Sequence, residues 1–183
     1  MLRRTLLLAA IGGTLKVTDA HAQPVVATQD VMTLLAGSSR HARFVEALAR
    51  TGVAQQLRGA GPFTVFAPTD AAWDSIPINI RNDVLPPNGT VDVVRATAAM
   101  NTYIVPGRYH PDDLSGRITE VETQNGRRVR IDGGDGKMRV NLVGGSGFAM
   151  GGASIGAQSA NIVLPAWLAS NGMVYVIDGP LVP

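Results

Sequence analysis

The sequence predicts a single α+β domain with a largely antiparallel sheet, and three observations predict it. Helical periodicity dominates the first half of the chain, short β-branched runs separated by hairpin turns dominate the second, and 45% hydrophobic residues in 183 suffice for one core. The 21 Gly and 11 Pro require frequent turns and short elements. Cysteine is absent, which removes disulfides, thiolate metal sites, a cysteine nucleophile and a lipid anchor on Cys from consideration.

Val31, Leu34 and Leu35 lie at i, i+3, i+4, and Gly37-Ser38-Ser39 closes that first helix. Phe44, Val45 and Leu48 share a face of a second that stops at Gly52, and Val53 and Leu57 extend a short third before Gly59 and Gly61. The period then changes: Phe63-Thr64-Val65-Phe66 reads as a strand, opened by Gly61-Pro62 and ended by Pro68. Thr69 or Asp70 caps a short helix through Trp73 and Ile76, because a side-chain oxygen there accepts the free N–H groups of the first turn. Pro86, Pro87, Asn88 and Gly89 form a loop, after which Thr90 is the expected N-cap of a longer helix with Val91, Val94 and Ala98 on its apolar face.

From Tyr103 onward the pattern is β. Strands are expected at 117–121, 127–132 and 138–143, divided by the turn signals Asn125-Gly126 and Gly133-Gly134-Asp135-Gly136. Residues 144–156 are glycine-dense and hold Phe148, Met150 and Ile155; 173–177 is the last strand, introduced by Asn171-Gly172 and followed by Pro180 and Pro183. No internal repeat or linker divides the chain.

The first 22 residues are expected to lie outside the domain. Arg3 and Arg4, an uncharged run over 5–15 and Ala20-His21-Ala22 make the three parts of a signal peptide, with cleavage between Ala22 and Gln23 and one domain over 23–183. Arg3-Arg4 before Thr5-Leu6-Leu7, with Lys16 beyond, also resembles a twin-arginine signal. The run is too short to span a bilayer. Removing Arg3, Arg4, Lys16 and Asp19 takes three of 16 basic and one of 14 acidic residues, leaving 13 of each. A neutral mature chain gives no case for nucleic acid, which demands surplus positive charge.

Two segments carry a family resemblance. Residues 61–73, GPFTVFAPTDAAW, resemble the first signature of fasciclin domains, and 171–183, NGMVYVIDGPLVP, are similar to the second. Between them 103–109, YIVPGRY, with Asp113-Leu114, look like the family's Val-Pro-Gly segment. The resemblance implies a wedge of two mainly antiparallel sheets flanked by N-terminal and central helices, with Thr69, Asp70, Pro106, Gly107, Asn171, Gly172 and Asp178 as structural signature positions. Family members commonly carry Tyr-His before Val-Pro-Gly and His in the last strand; here Thr102-Tyr103 and Tyr175 stand there, and Tyr109-His110 lies past Pro106-Gly107. The receptor recognition linked to that Tyr-His pair in some animal members therefore does not carry over.

No constellation for catalysis stands up. Gly152-Ala153-Ser154-Ile155-Gly156 matches G-x-S-x-G, but no helical pattern follows and no histidine lies downstream, so a glycine-rich turn is the better account. His110, Asp112 and Asp113 lack a recognised ligand spacing and read as a helix start, and Asp132 and Asp135 lack the calcium-loop register. No nucleotide cradle is present; neither metal nor cofactor is expected. Asn88-Gly89-Thr90 fits a glycosylation acceptor. Arg128 and Arg130 alternate with Val129 and Ile131 and should face solvent on one strand, beside Arg127 and Arg139. Together with Tyr103 and Tyr109, Arg128 and Arg130 are the candidate interaction residues. His41 and His110, both in polar segments, are expected to be exposed, which predicts a stability nearly flat from about pH 5.5 to 8. The reading is an exported, non-catalytic module that binds a protein or polysaccharide at the cell surface or in the periplasm. The alternative is a carrier of a small apolar ligand in a pocket beside the sheets, lined by Phe148, Met150 and Trp167.

Overall fold

The computed structural model describes residues 27–84, 86, 90–134, 136–143 and 159–181. Its elements are α1 (Val31–Ala36), α2 (Ala42–Arg50), α3 (Val53–Leu57), β1 (Phe63–Pro68), α4 (Asp70–Asp74), α5 (Ile78–Val84), α6 (Val93–Asn101), β2 (Ile104–Pro106), α7 (Pro111–Leu114), β3 (Ile118–Glu122), β4 (Arg128–Asp132), β5 (Arg139–Val143), β6 (Ser159–Ala169) and β7 (Gly172–Ile177). The expected α+β class holds: helices come first and strands follow.

The strands run in the order β2-β1-β7-β6-β5-β4-β3. β6 pairs with β5 over Ser159–Asn161 and with β7 over Ile162–Ala169, and its register shifts between Val163 and Trp167. The two halves of the sheet, β2-β1-β7-β6 and β6-β5-β4-β3, therefore share one strand, which matches the two-sheet wedge expected. Every pairing is antiparallel except β1 with β7, which run parallel from Phe63 opposite Gly172 to Pro68 opposite Ile177. β7 is buried at all six positions, as its uninterrupted apolar run demands of a central strand. Tyr175 on β7 stacks on Phe66 of β1 at 5.8 Å, a pairing worth about 1 kcal/mol beyond its area.

The helices cover this half. α1 lies against β1, β6 and β7, and α2 packs among α1, α3, α4 and α6. α1 buries Val31, Met32 and Leu35 beneath the N-cap Asp30, and α2 buries Phe44, Ala47 and Leu48. Losing any one of the large core side chains to Ala would cost about 2–5 kcal/mol.

Three local expectations are corrected. Asp92, not Thr90, caps α6: its Oδ1 accepts from the Arg95 N–H at 3.2 Å. The helix starts later than the sequence predicted, so its buried face is Ala96 and Met100, whereas Val94 is 81% exposed and Ala98 is exposed. Thr69 alone caps α4, accepting from the Ala72 N–H at 3.1 Å; Asp70 is the first helical residue and caps another helix. β6, eleven residues long, was not anticipated. Asp135 of the expected glycine-rich turn, the glycosylation acceptor Asn88, the signal segment with Ala22 and Gln23, and the glycine-dense run with Phe148, Met150 and Ser154 lie outside the described residues.

Candidate functional site

A cavity of about 410 Å³ opens between α4, α5, α6 and the turn joining β3 to β4. Its apolar wall is Trp73, Ile76, Ile80, Ala99, Met100 and Leu181, with the Tyr103 ring beside them. Thr102, Asn125, Arg81, Arg95 and Arg127 supply the polar wall. Its volume falls within the range of small-molecule sites, about 300–1,000 Å³.

The polar side is assembled by the Asn125-Gly126 turn. Gly126 takes φ 79°, which a side chain resists, and the turn brings Asn125 back over the C-terminal end of α6. Asn125 Nδ2 donates to the Ala98 carbonyl at 2.9 Å and to Thr102 Oγ1 at 2.6 Å. Its Oδ1 accepts from the Arg127 N–H at 3.2 Å, which seats Arg127 at the cavity. Arg81 pairs with Asp74 at 3.0 Å, a carboxylate that Arg43 shares at 3.2 Å, and Arg95 approaches Asp92 at 3.5 Å. Arg127 is exposed and forms no ion pair among the described residues. The cavity is thus an apolar pouch with three arginines in its lining, of which Arg127 alone has no ion pair among the described residues.

The signature positions fall elsewhere and tie chain segments together. Asn171 accepts from the Val31 N–H at 3.0 Å and donates to the Leu57 and Gly59 carbonyls at 2.8 Å each. At Gly172 a Cβ would collide with the Phe63 backbone. Gly107, at φ 107°, accepts from Thr64 Oγ1 at 2.8 Å, and its N–H donates to the Pro62 carbonyl. Pro106 ends β2 opposite Phe63. Asp178 receives both the backbone and the side-chain amide of Asn161, at 2.7 and 2.9 Å. Asp70 Oδ1 accepts from the Arg43 N–H at 2.9 Å, so it caps the first turn of α2 from across the chain.

Among the candidate interaction residues, Tyr103 is buried: its ring meets Phe44 at 5.4 Å and its hydroxyl accepts from the Leu181 N–H. It offers a macromolecule no surface, though it lines the cavity. Burial pushes its phenol above the ordinary range, against a smaller opposing effect of that hydrogen bond. Tyr109 is half-buried, and its carbonyl accepts from the Tyr175 hydroxyl at 2.8 Å. Burial chiefly, then the nearby Asp113 and Asp112, raise the Tyr175 phenol. Arg128 and Arg130 do face solvent, but Glu122 and Glu120 stand opposite them on β3, and Arg128 reaches Glu120 at 3.8 Å. Among the described residues no cluster of His, Asp and Glu could hold a metal ion, and no helix is long and apolar enough to cross a membrane.

Two expectations about this region are overturned. Trp167 does not line the apolar cavity; it packs edge-on against His41 at 5.4 Å, and Trp73 is the tryptophan of the cavity. His41 is fully buried, not exposed, its Nδ1 paired with Ser38 Oγ at 2.9 Å and its Nε2 without a hydrogen-bond partner among the described residues. Burial first and Arg40 second lower its pKa, while Asp70 works weakly the other way. Nothing local signals this: His41 stands among Ser38, Ser39, Arg40 and Arg43, and a strand far along the chain buries it.

Comparison with known proteins converges on one family. Protein sll1483 of Synechocystis is 27% identical over 86% of this chain and 77% of its own. The transforming growth factor-beta-induced protein ig-h3 of Sus scrofa is 37% identical over 73 residues, 40% of this chain and 10% of its own length. Human stabilin-1 is 27% identical over 82% of this chain and 5% of its own. In fold, the chain superposes on a FAS1 domain pair from the insect cell adhesion molecule fasciclin I with TM-score 0.64 and 16% identity, covering 86% of this chain and 52% of that one. This chain therefore spans about half of that domain pair and a tenth or less of the two animal relatives. Residues 39–183 match the family model described as Fasciclin domain, and the chain belongs to the fasciclin-domain family.

Proposed function

We propose that the protein is an exported, non-catalytic binding module that engages a protein partner at the cell surface or in the periplasm. The observation that carries this reading is the family match over 39–183, because the same fold builds an insect cell adhesion molecule. The solvent face of β3 and β4 supports a protein over an acidic polysaccharide. Its arginines stand opposite glutamates, so the face is mixed in charge and has no positive surplus for a polyanion. Beads coated with the mature protein should bind cells of the source organism, and Arg128→Glu with Arg130→Glu should weaken that binding. Binding that ignores both substitutions would remove the face from the reading. Export is tested separately by N-terminal sequencing of the native protein: a start at Gln23 supports it, and an intact Met1 start sinks it.

A second reading, a carrier of a small apolar ligand, is favoured by the apolar cavity against α4 and α6. The carrier should co-purify with a ligand detectable by mass spectrometry. The residues expected for it change, with Trp73, Ile76 and Met100 in place of Trp167.

A further inference from the structure

We infer that the cavity takes a single-tailed amphiphile with one carboxylate, its apolar body against Trp73, Ile76 and Met100 and its head on the guanidinium of Arg127. The inference rests on the carrier reading and names its ligand class. Three features of the site lead there. The apolar wall rewards burial of a hydrocarbon body at about 25 cal/mol per Å². Thr102, Asn125 and Arg127 meet where the turn grips the C-terminal end of α6, so a ligand whose head lies there is polar at that end and apolar along the Trp73, Ile76 and Met100 wall. Arg127 sits at the exposed edge, where a charged head keeps part of its hydration and avoids the cost of full burial.

Charge counting selects the head. Three arginines line the cavity, and Arg81 and Arg95 are already held by Asp74 and Asp92, the first of which also pairs with Arg43. Arg127 is the arginine of the lining left without an ion pair among the described residues, and its planar fork fits a carboxylate with two parallel hydrogen bonds. A monoanion answers that one unpaired guanidinium; a dianionic phosphate monoester would bring a second charge with no further unpaired guanidinium in the lining to meet it. A neutral alcohol with the same tail would leave the guanidinium unanswered.

The test uses the mature protein and diphenylhexatriene, a neutral fluorescent probe, displaced by dodecanoate, dodecanol or dodecyl phosphate, each below its aggregation threshold. Probe fluorescence should rise on binding, and dodecanoate should displace it at about tenfold lower concentration than dodecanol, the order of one charged hydrogen-bonded contact. Arg127→Gln should bring dodecanoate to parity with dodecanol and leave dodecanol itself unchanged. Arg58→Gln, an exposed arginine at the end of α3 outside the cavity lining, should keep the wild-type preference. Parity in the wild type, or tighter binding of dodecyl phosphate than of dodecanoate, overturns the inference and leaves the carrier reading standing. Failure of the probe and of all three competitors to bind overturns both.

Discussion

Two Asn-Gly pairs sit at turns of this chain and do different work. Asn171-Gly172 lies where β6 returns as β7, and its parts are spent on holding the core shut. The Asn171 side chain satisfies three backbone groups at the ends of α1 and α3, and Gly172 lets the Phe63 backbone approach closely. Asn125-Gly126 joins β3 to β4, where Gly126 supplies a left-handed turn and Asn125 grips α6 beside a cavity. The first pair ties chain segments together against the core; the second holds the edge of a space left open. A dipeptide signals a turn in both places, and only the surroundings decide whether the turn seals the fold or frames a site.

The strongest test of this contrast is alanine at each asparagine. Asn171→Ala strands the Val31 N–H and the Leu57 carbonyl at helix ends and leaves the exposed Gly59 carbonyl to water, and should cost about 3 kcal/mol. Asn125→Ala should cost only about 1 kcal/mol, because two of its partners are threonine hydroxyls that keep other acceptors: Thr102 donates to Ala98 and Thr123 to Arg127. Denaturant midpoints of the two variants decide it. Equal losses would erase the distinction between the two turns.

The same contrast explains what the sequence made legible. Strands β1 and β7 announce themselves, since an uninterrupted apolar run such as Met173 to Ile177 has few alternatives to a buried strand. That they pair in parallel is invisible locally, because the partners lie in signatures far apart in the chain. β6 was missed because its alternation holds only to about Val163; Pro165 and the register shift before Trp167 then break the period on which recognition depends. The burial of His41 and the meeting of Arg81, Arg95 and Arg127 are tertiary facts. None of these residues carries a spacing that pattern reading could use. The α6 face was misjudged for a related reason: Val94 is more apolar than Ala96, but a later start to the helix turned Val94 outward.

A smaller effect separates the two halves of the first signature. Asp70→Ala should lose about 0.5–2 kcal/mol by uncapping α2 at Arg43, and Thr69→Ala a similar amount by uncapping α4. The two residues are adjacent yet cap different helices, so hydrogen exchange should show the loosening at 42–45 in the first variant and at 70–73 in the second. Loosening of α4 in both would return Asp70 to the role the sequence first gave it. Neither change should alter the cavity turn, whereas Asn125→Ala should weaken dodecanoate displacement by relaxing the Arg127 backbone it seats.

The smallest effect near neutrality concerns His41 and reverses the expectation of a flat pH response. In the folded protein the imidazole is fully buried, its Nε2 has no partner among the described residues, and burial and Arg40 hold its pKa below the ordinary 6.5. In the unfolded chain it protonates around 6.5. Between the two values the unfolded state therefore binds more protons, and stability rises with pH across that window. It is fully present above about pH 6.5 and is lost as acid drives protonation of the unfolded chain, until the pH falls past the folded pKa. The slope cannot exceed about 1.4 kcal/mol per pH unit for one proton, so the loss at pH 6 stays under about 1 kcal/mol. The groups facing the ring are Ser38, Arg40, Asp70 and Trp167, and of the charged pair only Asp70 favours the imidazolium. Denaturant melts of wild type and His41→Leu between pH 5 and 8 read the effect: the wild type should weaken toward acid and the variant should weaken less. A wild-type curve as flat as the variant's would mean that the imidazole gains a proton in place, and that the surrounding core answers its charge.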